Sequence, residues 1–278
     1  MTEQRMTKDM AAELFVDLAE PGDVAAIAAI DSVAWSSGRG TDADEKEFLT
    51  RQANGGIFVT KTGEGRVVGY VSVFRPSWAD PKALREIMTQ CTDRIVGQTP
   101  EERWETLRNT YGLPLNWHEA TGNGTPFTEK GLHNPGGKVI FGMAIITDPN
   151  YRGNRVVDET LSAALRASKQ EGTEWFIAFS RLPSYRNFTQ TNGETPVDRY
   201  LRAAVPSPEG MVPHDYGFRF HWRGGAQPVR TESGRIGYVG VRNVRYDDPE
   251  SHNSGVFIMN PLEFGRFPFE KIVSQAGI

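Results

Sequence analysis

Cysteine is almost missing from this chain: Cys91 is the only one among 278 residues. An intramolecular disulfide is therefore excluded, and so is a cysteine-rich zinc site; a reducing cytoplasm is the expected setting. No apolar run approaches the roughly 20 residues of a membrane-spanning helix, and the mean hydropathy is −0.47. The first residues, Met1–Met10, are polar and charged. They carry no secretory pattern and are expected to form a flexible end. Basic charge is also in short supply. Lys and Arg number 31 against 35 Asp and Glu, giving a net charge of −4 and a pI near 5.8. The basic residues are scattered, which argues against nucleic acid as a partner. No His, Asp or Glu spacing fits a metal site, so no metal is expected. No serine sits in a Gly-x-Ser-x-Gly elbow, which argues against a hydrolase of that type. Repeats and low-complexity tracts are absent too.

What the chain does have is a globular composition, with 38% hydrophobic, 10% aromatic and 24% charged residues. At about 150 residues per domain the length allows one to two domains with a sizeable core. Its 29 Gly and 17 Pro imply many short elements. Glu13–Leu18 alternates as a strand does. After the turn Pro21-Gly22-Asp23, Asp23 can cap a helix with Val24, Ile27, Ile30 and Val33 at helical spacing. A second helix is predicted over Asp44–Gln52, then a hairpin of Ile57–Thr60 and Val67–Val73 around Thr62–Gly65. Trp78–Gly112 reads as helical, and Asn116–Gly137, rich in Gly, Asn, Thr and Pro, as a long loop. Val139–Thr147 is the most apolar segment and predicts a strand buried on both faces. A helix over Val156–Gln170 follows, ended by Gly172, and then a strand over Glu174–Ser180. This strand–helix–strand unit makes the two strands parallel. Farther on, the pattern predicts a helix over Pro196–Ala204 and strands at Phe218–Trp222, Ile236–Val244 and Gly255–Met259.

The most informative stretch joins the buried strand to the helix after it, Thr147 to Asp158. The first N–H groups of a helix lack internal partners, and with the helix dipole they form an anion site. Arg152 and Arg155 add positive charge there, and a pyrophosphate is the natural occupant.

The order of elements, and the segment Pro149-Asn150-Tyr151-Arg152-Gly153, resemble the GNAT superfamily of acyl-CoA-dependent acyltransferases. That family's motif is Gln/Arg-x-x-Gly-x-Gly/Ala. Arg152 matches its first position, whereas Arg155 and Val157 stand where glycine and glycine or alanine are usual. Three C-terminal segments are similar to the GNAT-like domains of polyketide loading modules. They are Phe218-Arg219-Phe220-His221-Trp222-Arg223-Gly224-Gly225-Ala226, Phe179-Ser180-Arg181 and Val244-Arg245-Tyr246-Asp247-Asp248. Trp35 and Asp158 match that group as well. Segments at Arg181–Tyr185 and Asp247–Ser251 are comparable to GNAT-like domains fused to carbon–nitrogen hydrolases.

The resemblance implies an α/β GNAT fold over residues 11–278: a central mixed sheet flanked by helices, with a helical and loop insertion at about 78–137 and a C-terminal extension. It implies acyl-CoA, of the acetyl or malonyl type, as substrate. Ile145, Ile146 and Thr147 would hold the pantetheine arm by backbone pairing. Arg152, Gly153, Asn154, Arg155, Val156 and Val157 would hold the pyrophosphate. Three readings stay open. The first is acyl transfer to an amine or thiol acceptor, a small molecule or an acyl carrier protein, with His221 or Glu174 as base and Tyr185 as acid. The second is decarboxylation of a malonyl-type thioester, with Ser180 holding the carboxylate or thioester by hydrogen bonding, His221 stabilising or protonating the enolate and Arg245 attracting the carboxylate. The third is an acyl-CoA-binding module without turnover. No membrane partner is expected, and the oligomeric state is left open.

Overall fold

Alternating and β-branched segments of this chain pair into one mixed sheet, and the helices between them cover both of its faces. A computed structural model describes residues 13–35, 45–90, 100–129, 131–152, 155–201, 203–208, 210–223, 240–241 and 248–262. In chain order the elements are β1 (Leu14–Leu18), α1 (Val24–Trp35), α2 (Glu45–Ala53), β2 (Ile57–Thr62), β3 (Val67–Phe74), α3 (Pro81–Gln90), α4 (Pro100–Tyr111) and α5 (Trp117–Thr121). There follow β4 (Val139–Thr147), α6 (Val156–Gln170), β5 (Trp175–Arg181), α7 (Tyr185–Asn192), α8 (Val197–Leu201), β6 (Ala204–Ser207), β7 (Gly210–Pro213), α9 (Tyr216–Arg223), β8 (Gly240–Val241) and β9 (Gly255–Pro261).

The seven-stranded sheet runs β1-β2-β3-β4-β5-β9-β8, and β6 and β7 form a separate hairpin. Among the described residues every pair in this sheet is antiparallel except β4 with β5, which is parallel as the crossover through α6 requires. Side chains alternate across the sheet, and each face builds its own core. On one face Phe74, Phe141, Ile177 and Phe257 meet Leu84, Ile87, Trp104, Leu107 and Trp117 of α3, α4 and α5. Beside them Ile57, Val59 and Tyr70 meet Ile27 and Phe48 of α1 and α2. On the other face Val71, Ile140, Phe176 and Ile258 pack against Leu161 and Leu165 of α6, Tyr185 of α7, Tyr200 of α8 and Phe218 of α9.

Several expectations are corrected. The helical stretch at Trp78–Gly112 is two helices, α3 and α4. The segment Asn116–Gly137 holds the short helix α5, capped by the Asn116 side chain, which accepts from the Glu119 N–H at 3.0 Å. Asp23 serves another use than capping α1: its carboxylate accepts from the Glu20 N–H at 2.8 Å and pairs with Lys61 at 2.9 Å. The helix at Pro196–Ala204 ends at Leu201, and Ala204 starts β6. Phe218–Trp222 is helical, inside α9. Its Phe-Arg-Phe-His-Trp alternation mimics a strand, but the Asp215 carboxylate accepts from the Phe218 N–H at 2.9 Å and starts a helix instead. Of the strand expected over Ile236–Val244, the described residues are Gly240 and Val241, in β8. Helix α7 and the β6–β7 hairpin are additions to the sequence reading. No helix among the described residues is long and apolar enough to cross a membrane.

Candidate active site

Strands β4 and β5 pair only at their starts, Val139–Gly142 against Trp175–Ala178. Beyond that point they part, and three local features explain why. First, the β3–β4 register slips between Ser72 and Val73, whose partners are Ala144 and Gly142, so Met143 is an extra residue in β4. Such a bulge bends its strand and increases the twist. Second, Met143 and Ala144 both join cores on the same face, as expected where alternation is broken. Third, the Trp117 indole N–H donates to the Met143 carbonyl at 3.2 Å, satisfying a group that the bulge removes from the ladder. Gly142 sits at the hinge itself: a Cβ there would lie 2.9 Å from the Phe176 ring.

The parting opens a cleft of about 710 Å³ through the sheet. Trp117, Met143, Ala144 and Ile146 line it from one face, and Val157, Phe220 and His221 from the other. Along one wall the backbone of Ala144–Thr147 is paired with β3 on its far side. On its cleft side it has no strand partner among the described residues.

The open end of the cleft meets the N-terminus of α6. Asp148 orders the approach by accepting from the Asn150 N–H at 2.9 Å and from Arg66 at 2.8 Å. Arg152 follows, exposed and on the cleft. Ile145, Ile146, Thr147, Arg152 and Val157 all line the cleft. Gly153 and Asn154 lie outside the described residues. Two of the side chains in this turn face away from the cleft. The Val156 side chain is buried, the residue 1% exposed, and serves packing: its Cγ1 lies 2.5 Å from where a Cβ on Gly69 would be, so glycine there lets α6 seat on β3. Arg155 directs its guanidinium to Glu159, at 3.5 Å, and does not line the cleft. Yet Arg155 adopts the left-handed conformation, φ 59° and ψ 14°. It keeps the backbone shape that a motif glycine adopts freely, at a conformational cost of about 1 kcal/mol.

At the inner end stand Ser180 and His221. Ser180, at 3% exposure, donates its hydroxyl to the Arg181 carbonyl at 3.1 Å, leaving oxygen lone pairs as acceptors. His221 lies half-buried with its ring stacked on Phe176, centroids 6.4 Å apart. Burial pushes its pKa down to about 4, so the imidazole is neutral at physiological pH. A neutral ring offers one N–H donor and one lone pair. Helix α9 carries it there, and Asp215 anchors that helix: its carboxylate also accepts from the Ser184 N–H at 3.0 Å and the Tyr200 hydroxyl at 2.7 Å. Arg181, at the end of β5, makes a two-pronged bond to Asp248, both contacts 2.5 Å. Burial works against the Asp248 carboxylate, but these bonds outweigh it and hold its pKa below the usual range.

Other candidates are not brought to the cleft. The Tyr185 hydroxyl donates to the Thr195 carbonyl at 2.6 Å, and its ring packs against Tyr200, so it is a core residue. Glu174 precedes β5, at the opposite end from Ser180, and pairs with Lys138 at 2.8 Å. Arg245 lies outside the described residues. Trp35 ends α1. Conversely, Trp117 and Tyr216 line the cleft and were not singled out, and Arg181 and Glu250, named only within matched segments and given no role, line it too. For Trp117 a signal existed in the Asn-Trp pair, a helix cap within an otherwise loop-like segment. No group of metal-ligating side chains gathers among the described residues.

The sheet order, the single parallel pair that parts and the helix crossing between its strands define the GNAT fold. Solved structures that share it include the following two. The loading GNATL domain of CurA from Lyngbya majuscula aligns with a TM-score of 0.59 and 17% identity, over 90% of this chain and 98% of that one. The GphF GNAT-like decarboxylase, solved in complex with isobutyryl-CoA, aligns with a TM-score of 0.57 and 21% identity, over 90% and 100%. No family model matches the chain, and no curated protein matches it.

Proposed function

We propose that this chain is an enzyme of acyl-CoA thioesters, transferring the acyl group to an amine or thiol acceptor. One observation carries the reading: a β4 edge, Ala144–Thr147, with no strand partner among the described residues leads from Arg152 at the α6 N-terminus to Ser180 and His221. A pantetheine arm has alternating amide donors and acceptors that suit such an edge. A pyrophosphate suits the guanidinium and the helix end. The fold shared with a structure holding isobutyryl-CoA supports the same choice.

In transfer, the acceptor nitrogen or sulfur attacks the thioester carbon. The new bond forms, the C–S bond breaks, and a proton passes from acceptor to CoA sulfur. His221, neutral near pH 7, can receive the acceptor's proton on its lone pair and return it to the leaving thiolate. Decarboxylation of a malonyl-type thioester is the second reading, and the neutral His221 ring favours it. Cleaving the C–C bond releases CO2 and places the electron pair on the thioester oxygen. An uncharged imidazole N–H can donate to that enolate oxygen, and a proton from solvent then adds at the α-carbon to give the shortened acyl thioester.

The test is to incubate the protein with acetyl-, propionyl- and malonyl-CoA, with and without amine and carrier-protein acceptors, and to follow masses. Acyl mass on an acceptor supports transfer. CO2 loss without an acceptor supports decarboxylation. Binding without turnover supports an acyl-CoA-binding module. If no CoA ester binds, the thioester reading is wrong. For either reaction His221→Ala is expected to lower the rate by about 100-fold or more.

A further inference from the structure

The inner end of the cleft is closed on one face by a residue of the inserted segment. Trp117 belongs to α5, between β3 and β4, and lines the cleft beside Met143 and Phe179. Met143 is the first β4 residue past the paired half, so Trp117 stands at the vertex where β4 and β5 meet. Arg152 marks the opposite end. The β4 edge from Thr147 to Met143 spans roughly 13 Å at about 3.3 Å per residue. A thioester arm anchored at Arg152 and running along that edge brings its acyl group to Trp117.

The indole is fixed in place. Its N–H is bonded to the Met143 carbonyl at 3.2 Å. Its helix is closed at the start by Asn116 and at the end by Gly122 in the left-handed conformation, φ 58°. The Thr121 hydroxyl ties back to the Trp117 carbonyl at 2.8 Å. The ring tip packs near Gly124, where a Cβ would lie 3.3 Å from Cη2, so a larger residue there would crowd the indole. The side chain is 7% exposed. A large aromatic held this firmly is a wall that the ligand cannot push aside.

We infer that Trp117 sets the acyl-length limit and that the cleft takes short-chain acyl groups while refusing medium and long chains. The inference rests on the acyl-thioester reading above. It gives the 78–137 insertion a specific task, shaping the acyl end of the cleft.

Calorimetric titration with acetyl-, butyryl- and octanoyl-CoA tests it. The native chain is expected to bind the first two at least about tenfold more tightly than octanoyl-CoA. Trp117→Leu is expected to remove most of that difference by admitting the octanoyl chain. Trp117→Phe loses the N–H but keeps much of the ring, and is expected to weaken all esters alike while preserving their order. Ala34, half-buried on α1, lines the cleft from the same face. Ala34→Leu is expected to weaken butyryl-CoA by about tenfold and acetyl-CoA little, and it decides the matter if Trp117→Leu does not fold. A native chain that binds octanoyl-CoA as well as acetyl-CoA overturns the inference. So does a folded Trp117→Leu that keeps the native length profile. Loss of binding to every ester by the native chain instead overturns the thioester reading itself.

Discussion

The two halves of the β4–β5 pair share a backbone and little else. In the closed half, Val139–Gly142 against Trp175–Ala178, the strands exchange parallel hydrogen bonds and all their side chains are buried. In the open half, Ala144–Thr147 are only partly buried, and their cleft edge has no strand neighbour among the described residues. One extra residue, Met143, and one glycine, Gly142, separate the two regimes. The closed half provides stability that the open half does not need to supply. The open half keeps the backbone groups that a ligand can use. On the proposed reading, binding capacity comes from this unfinished pairing, held open by packing on either side.

The sharpest way to break this contrast is to truncate one apolar side chain in each half. Phe141→Ala is expected to cost about 3–5 kcal/mol, because Phe141 is fully buried against Phe74, Trp78 and Phe179. Ile145→Ala is expected to cost about 1–2 kcal/mol and to weaken acetyl-CoA binding instead. Urea unfolding and calorimetric titration of both variants check the separation; equal costs in stability would count against two regimes.

The next effect is pH-dependent and belongs to the open half. The His221 pKa is depressed to about 4 from 6.5. Between those values the unfolded chain binds the proton and the folded chain does not, so stability is complete above pH 6.5 and falls as pH drops toward 4. At about 1.4 kcal/mol per unit the loss is at most about 3 kcal/mol. His221→Leu is expected to flatten this limb of the stability–pH curve, measured by thermal unfolding.

A smaller loss is expected from Asp248→Asn, which removes the charge that Arg181 grips at the end of β5. The Asp248 side chain is 2% exposed and that of Arg181 26%, so the cost is about 2 kcal/mol, below that of a fully buried pair. Chemical denaturation measures it, and an unchanged midpoint would show that the Arg181–Asp248 pair adds nothing to stability. The smallest effect has the opposite sign. Arg155→Gly is expected to stabilise by about 1 kcal/mol or less, because the backbone is already left-handed there. A rise in melting temperature checks it, and a fall would mean that the Arg155–Glu159 pair outweighs the strain.

Much of this architecture was legible in the residues. The apolar run Val139–Thr147 and the spacing of Val157, Leu161, Ala164 and Leu165 announced β4 and α6, because long periodic segments carry strong local signals. Parallel pairing followed from the crossover rule. The Arg152 position was legible from its motif match. The helical state of Phe218–Trp222 was not, because five alternating residues fit a strand as well as a helix, and the deciding contact is the Asp215 cap. Tyr185 looked available for proton transfer, but its hydroxyl is committed to the Thr195 carbonyl, ten residues on. Glu174 and Ser180 are near in sequence yet at opposite ends of a strand, so they cannot act on one substrate.

Periodicity and short motifs are local properties, and they were enough to establish the strand–turn–helix unit and the charge at its turn. Where two strands stop pairing is a different kind of fact. It depends on the Trp117 indole reaching the Met143 carbonyl from 26 residues away, and on a helix capped by Asp215 carrying His221 to Phe176. Such contacts join segments distant in the chain, and their energies exist only once the sheet and its two covering layers are assembled.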